Sequence, residues 1–110
     1  MSFRKQQLNS LIRDELSKAI VREVGFPVGA LASITEVRVS NDLGYADVMI
    51  SVYPVSKKDG AMKALDAKRV ELQTILFKKI NIRSLPKIRF NYDPGPEKAA
   101  NIEKILLSGK

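Results

Sequence analysis

Apolar residues recur at spacings of three and four through the first two dozen positions. Leu8, Leu11, Ile12, Leu16, Ala19, Ile20 and Val24 fall on one stripe, while Arg4, Lys5, Arg13, Asp14, Lys18 and Arg22 fall mostly elsewhere. That spacing predicts an amphipathic helix over residues 2–24, with Ser2 as its N-cap. Gly25-Phe26-Pro27 stops it, because glycine accepts a left-handed cap and proline cannot continue a helix. The period then drops to two. Residues 31–40 alternate, with Thr35, Val37 and Val39 on one face and Glu36 and Arg38 on the other. Residues 45–53 alternate as well: Ala46, Val48, Ile50 and Val52 share one face, and Tyr45, Asp47, Met49, Ser51 and Tyr53 the other. The turn-rich linker Asn41-Asp42-Leu43-Gly44 makes these two runs an antiparallel hairpin.

After Pro54, residues 56–60 are a polar loop and residues 61–82 return to helical spacing. Met62, Leu65, Leu72, Ile75, Leu76 and Ile80 form the apolar face, with a phase break between Leu65 and Leu72 that holds Asp66, Lys68 and Arg69. The break predicts two helices, or one bent helix, joined near residues 66–70. Ser84-Leu85-Pro86 ends it. Residues 87–92 are a third strand, with Ile88, Phe90 and Tyr92 on one face and Lys87, Arg89 and Asn91 on the other. A short last helix is expected over 97–107, with Ala99, Ile102, Ile105 and Leu106 as its face. The helix pair between the second and third strands is a crossover, so the expected fold is α+β: a three-stranded mixed sheet covered by helices.

Composition narrows the chemistry. The 110 residues suit a single domain spanning 1–110, and they include no histidine and no cysteine. That excludes Ser-His-Asp and Cys-His catalysis, histidine or thiolate metal sites, and disulfides. The carboxylates form no catalytic or metal-binding constellation, and there is no Walker-type loop or dinucleotide fingerprint. No enzyme activity, metal or cofactor is expected. No apolar run approaches the ~20 residues of a membrane span, and the N-terminus lacks the apolar core of a secretory signal. The cytoplasm is the expected compartment.

Charge is the strongest global signal. The formal net charge is +7, which suits a polyanionic partner. It is concentrated: residues 68–89 carry Lys68, Arg69, Lys78, Lys79, Arg83, Lys87 and Arg89 against one carboxylate, Glu71. Lys57, Lys58 and Lys63 extend the field at the start of the helix pair, and Arg4 and Lys5 extend it from the N-terminus. The candidate RNA-binding residues are Lys68, Arg69, Lys78, Lys79, Arg83, Lys87 and Arg89, with Lys57, Lys58 and Lys63. Arg83 also suits a helix C-terminus, where a cation favours the carbonyl dipole. Phe90 and Tyr92 share a face with Ile88 and belong to the core. With no RNP-type strand motif present, phosphate and shape recognition is expected rather than base stacking.

The order α-β-β-α-α-β with a basic helix pair resembles a KH-like RNA-binding domain of the bacterial type. Two stretches narrow the resemblance to the ribosome-binding factor A family. One is Val37-Arg38-Val39-Ser40-Asn41-Asp42-Leu43-Gly44-Tyr45-Ala46-Asp47-Val48, similar to that family's valine-rich strand, Ser-x-Asp-Leu turn and Ala-x-Val strand. The other is Leu85-Pro86-Lys87-Ile88-Arg89-Phe90-Asn91-Tyr92-Asp93, similar to its (I/L)-P-x-(I/L)-x-F-x-x-D segment. The tail from Ile102 to Leu106 is similar to its closing helix. The chain has no Gly-x-x-Gly loop, as in that family, which has a helix–kink–helix usually marked Ala-x-Gly. Here the kink positions are Lys68-Arg69-Val70, preceded by Ala67. The resemblance implies a monomeric assembly factor that binds the small ribosomal subunit and its rRNA and assists late maturation and rRNA 5′ end processing without catalysis. The residues by themselves also fit a general KH-like RNA binder or a basic protein-interaction module.

Overall fold

The computed structural model describes residues 5–82 and 84–95. The expected last helix over 97–107, the Ser2 cap, Arg4 and Arg83 lie outside the described residues. The elements run α1 (Lys5–Glu23), β1 (Leu31–Val39), β2 (Tyr45–Tyr53), α2 (Lys58–Ala67), α3 (Arg69–Lys79) and β3 (Lys87–Tyr92). The sheet order is β1-β2-β3, with β1 antiparallel and β3 parallel to β2. This is the mixed sheet that the helical crossover requires.

One face of the sheet carries the core. Val37, Val39, Ala46, Val48, Ile50, Val52 and Ile88 are buried against Leu8, Ile12 and Leu16 of α1, Leu65 of α2, and Leu72 and Leu76 of α3. Each of the valine, leucine and isoleucine side chains stabilises the fold by about 1.5–3 kcal/mol on full burial. Phe90 and Tyr92 pack against this cluster while staying partly exposed. No charged or polar side chain is buried among the described residues.

Two expectations are corrected. Thr35 does not join the apolar face. The β1–β2 register shifts between Ile34 and Glu36, so Thr35 is the extra residue of a β-bulge. The inward residues are Ala32 and Ile34 before the bulge and Val37 and Val39 after it. Thr35 instead donates its hydroxyl to Asp93 at 2.6 Å. The polar loop over 56–60 is also not a loop. One 3-10 turn (Val55–Lys57) leads straight into α2 at Lys58. Asp59 in the first turn suits the helix dipole. Gly60 sits within this helix where a side chain has no room: a Cβ there would meet the Pro27 ring at 2.9 Å.

Both edge strands are held by a helix side-chain amide. Asn9 of α1 accepts the Val39 N–H at 3.0 Å on the β1 edge. On the β3 edge, Gln73 of α3 donates to the Pro86 carbonyl and accepts the Ile88 N–H, both at 2.9 Å. A neighbouring strand would make the same pair of bonds, so Gln73 closes an edge that would otherwise invite pairing.

Candidate nucleic-acid interface

The helix break falls at Lys68, between α2 and α3. Its backbone sits at φ −103°, ψ 4°, on the negative-φ side that any residue can adopt. The kink therefore needs no glycine, and Lys68-Arg69-Val70 replaces Ala-x-Gly without loss of the bend. Lys68 occupies the N-cap position of α3 and Arg69 its first turn, with no side chain capping the helix. Both cations stand where the helix dipole disfavours them. Glu71 offsets this in part, pairing with Lys68 at 3.4 Å.

Arg69 lies one turn before Gln73, on neighbouring helix lines, and Gln73 is bonded to the start of β3. The same contact ties α3 to the strand whose exposed first residue is Lys87. Lys78 and Lys79 are exposed in the last turn of α3, where cations suit the dipole. Arg69, Lys78, Lys79 and Lys87 take no ion-pair partner among the described residues.

The other candidates are placed differently. Lys57 and Lys58 follow the far end of β2, whereas Lys87 pairs with Tyr45 at its beginning. The length of a nine-residue strand separates them, about 26 Å at the usual rise per residue. Lys58 holds its ammonium 4.9 Å from the Tyr92 ring centroid, and the Lys57 stem lies near Gly29. Lys63 is exposed on the face of α2 that also carries Asp59 and Asp66, four and three residues away respectively. Its charge is locally offset.

Arg89 is already engaged. Its guanidinium forks onto Asp47 with two 2.9 Å bonds and lies 4.1 Å from the Tyr45 ring centroid. On the same outer sheet face, Arg38 forks onto Glu36 at 2.7 and 3.0 Å. The outer sheet face is therefore close to charge-balanced, and the uncompensated cations lie along α3 and at the start of β3. The Arg89 bonds, chiefly, hold the Asp47 carboxyl below its ordinary value; partial burial opposes them and Asn91 assists. Arg38 does the same for Glu36, and the Ser40 hydroxyl followed by the Gly44 N–H does so for Asp42.

A pH dependence follows. A carboxyl whose value is depressed by folding stabilises the fold above its unfolded value, and that contribution is lost as pH falls through the folded one. With no histidine in the chain, thermal melts between pH 6 and 8 are expected to differ little. The melting temperature is expected to fall below about pH 4, where unfolded carboxylates protonate. Asp47→Asn is expected to shrink that acid-side drop, which a pH series of melts measures.

Sequence reasoning missed two exposed apolar residues on α3, Val70 and Phe77, which are 69% and 56% exposed. Tyr53 and its cross-strand neighbour Leu31 are also exposed, on the outer sheet face. Among the described residues no helix is long and apolar enough to cross a membrane, and no cluster of carboxylates is placed to hold a metal.

The profile of the family described as ribosome-binding factor A matches residues 4–106. The chain belongs to the ribosome-binding factor A family. The ribosome-binding factor A of Dictyoglomus thermophilum is 36% identical over 108 residues, covering 96% of this chain and 90% of that protein. The solution structure of a Thermotoga maritima protein, described as a putative ribosome-binding factor A, superposes with a TM-score of 0.71 at 26% identity. It covers 86% of this chain and 92% of its own. Coordinates of Thermus thermophilus ribosome-binding factor A, fitted into a map of its complex with the 30S subunit, superpose at 0.58 and 21% identity over 82% of this chain and 91% of that one. Within the family frame, the helix kink at Lys68 keeps the expected position with a different sequence.

Proposed function

We propose that this chain is a small-subunit assembly factor that binds 30S rRNA through the ridge formed by Lys68, Arg69, Lys78, Lys79 and Lys87. The observation that carries the reading is that four of these cations stand exposed with no ion-pair partner among the described residues, three on α3 and one at the strand start bonded to it. Family membership supplies the ribosomal context, and the complex of the Thermus thermophilus relative with the 30S subunit supports the choice of subunit. Arg89 serves the sheet rather than the RNA, and Lys57, Lys58 and Lys63 are peripheral. Arg83 falls within the basic stretch by sequence.

The chain works in the cytoplasm as one domain and one copy, by binding rather than catalysis. Its ridge favours one rRNA conformation over others by differential affinity, which is all a ligand needs to shift a folding equilibrium. Late subunit maturation and rRNA 5′ end processing are the steps it assists. Neutralising about four phosphates lowers affinity by about two decades between 50 and 200 mM salt. Co-sedimentation with mature and immature small subunits at those salt concentrations tests this. Steeply salt-dependent binding to small subunits, and none to large ones, is the expected result. A flat salt response would refute the ridge, and no binding to either small-subunit form would refute the function.

A further inference from the structure

The inward face of α3 is set by Leu72 and Leu76, which are fully buried. An ordinary surface helix is polar on the opposite side. Here that side carries Val70 and Phe77, both more than half exposed. Seven residues is 20° short of two full turns, so the two lie on one line about 10 Å long. Thr74 sits between them, and its hydroxyl is turned back onto the Val70 carbonyl at 3.1 Å. The strip Val70-Thr74-Phe77 is therefore apolar from end to end. Single exposed apolar residues need no explanation, but this strip has cations on both flanks. Arg69 lies about 100° to one side of Val70, and Lys78 about 100° to the other side of Phe77. The one carboxylate of α3, Glu71, is taken by Lys68.

The partner that fits is anionic at its margins and apolar between them. The strip is convex, so it enters a groove rather than forming one. The minor groove of an RNA duplex is wide and shallow, floored by riboses and base edges and bordered by two phosphate ridges. The RNA major groove is too deep and narrow for side chains to read, and the minor groove of B-DNA is only about 6 Å wide. Single strands call for flat aromatic platforms, which a valine–threonine–phenylalanine line does not provide. We propose that α3 lies along the minor groove of an rRNA duplex. Val70 and Phe77 rest on riboses, while Arg69 and Lys78 reach phosphates of opposite strands. This inference rests on the rRNA-binding reading and specifies its ligand as duplex.

The test uses the full chain with small subunits and three probes: an RNA duplex of about 16 base pairs, a DNA duplex of the same sequence and the RNA single strand. The wild type is expected to prefer the RNA duplex. Because both side chains are exposed, Val70→Ala with Phe77→Ala leaves the melting temperature nearly unchanged. It lowers RNA-duplex affinity about tenfold through lost apolar contact, abolishes the preference over DNA and leaves the salt slope intact. Arg69→Gln with Lys78→Gln reduces the slope by about two. Unchanged duplex affinity in the apolar variant, or a wild-type preference for the single strand, overturns the inference. So does loss of a self-associated form in that variant with RNA binding intact, which would make the strip a protein contact. Small-subunit binding that ignores Phe77 but needs Arg69 leaves the functional reading standing while this inference fails. Duplex binding without small-subunit binding does the reverse.

Discussion

Reversing both charges at the helix kink, Lys68→Glu with Arg69→Glu, is expected to weaken small-subunit binding by at least about a hundredfold, at two charge-assisted contacts of about 1.5–3 kcal/mol each. The fold gives this test unusual clarity. Lys68 and Arg69 occupy the N-cap and first turn of α3, where the dipole favours acids over cations. Reversal therefore relieves the conflict with the dipole, while the Lys68–Glu71 pair becomes a like-charged one that costs a few tenths of a kcal/mol. Neither side chain belongs to the core. Circular dichroism and the thermal melt should stay close to wild type, so a loss of affinity reports the interface and not unfolding. Arg69→Glu alone should account for more of the loss than Lys68→Glu alone, because Lys68 already shares its charge with Glu71. Equal affinity for the double variant and the wild type would remove the kink from the binding surface.

Much of the fold was legible because it rests on periodicity. The apolar stripe of α1, the alternation of β2 and β3 and the phase break between Leu65 and Leu72 each mark an element the structure contains. The misplacement of Thr35 had a visible warning: Ile34 and Val37 are three apart, which no period-two strand permits without a bulge. The start of α2 was missed because Gly60 reads as a breaker, and its reason for being glycine is the Pro27 ring, more than thirty positions earlier. The site was less legible than the fold. Counting cations along residues 68–89 picked out the basic stretch, but it did not separate Arg89 from the rest. That separation depends on Asp47, which the β2–β3 register places directly opposite. Local sequence holds no sign of it. Phe77 was left off the apolar face and its exposure passed over, although it stands 100° from Leu76 and off the stripe that Leu72 and Leu76 define.

Gln73→Ala is expected to cost about 2–6 kcal/mol in stability, the largest effect of any single polar substitution proposed for this chain, because it strands two backbone groups at about 1–3 kcal/mol each. The Gln73 amide is the sole side chain that meets both the Pro86 carbonyl and the Ile88 N–H among the described residues. Ile88 is buried beside them at 1% exposure, so water does not readily replace the lost acceptor. Gln73→Glu separates the two bonds: the carboxylate still accepts the Ile88 N–H but meets the Pro86 carbonyl with no hydrogen to offer. Its cost should lie near that of alanine at neutral pH and shrink in mild acid, where the protonated form can donate again. Denaturant unfolding at pH 7 and pH 5 measures both. The same contact fixes where Arg69 stands relative to Lys87, so rRNA affinity should fall in Gln73→Ala even at temperatures where the variant is fully folded. If stability drops while affinity per folded molecule is unchanged, Gln73 only closes the sheet edge and the ridge does not depend on how α3 is seated.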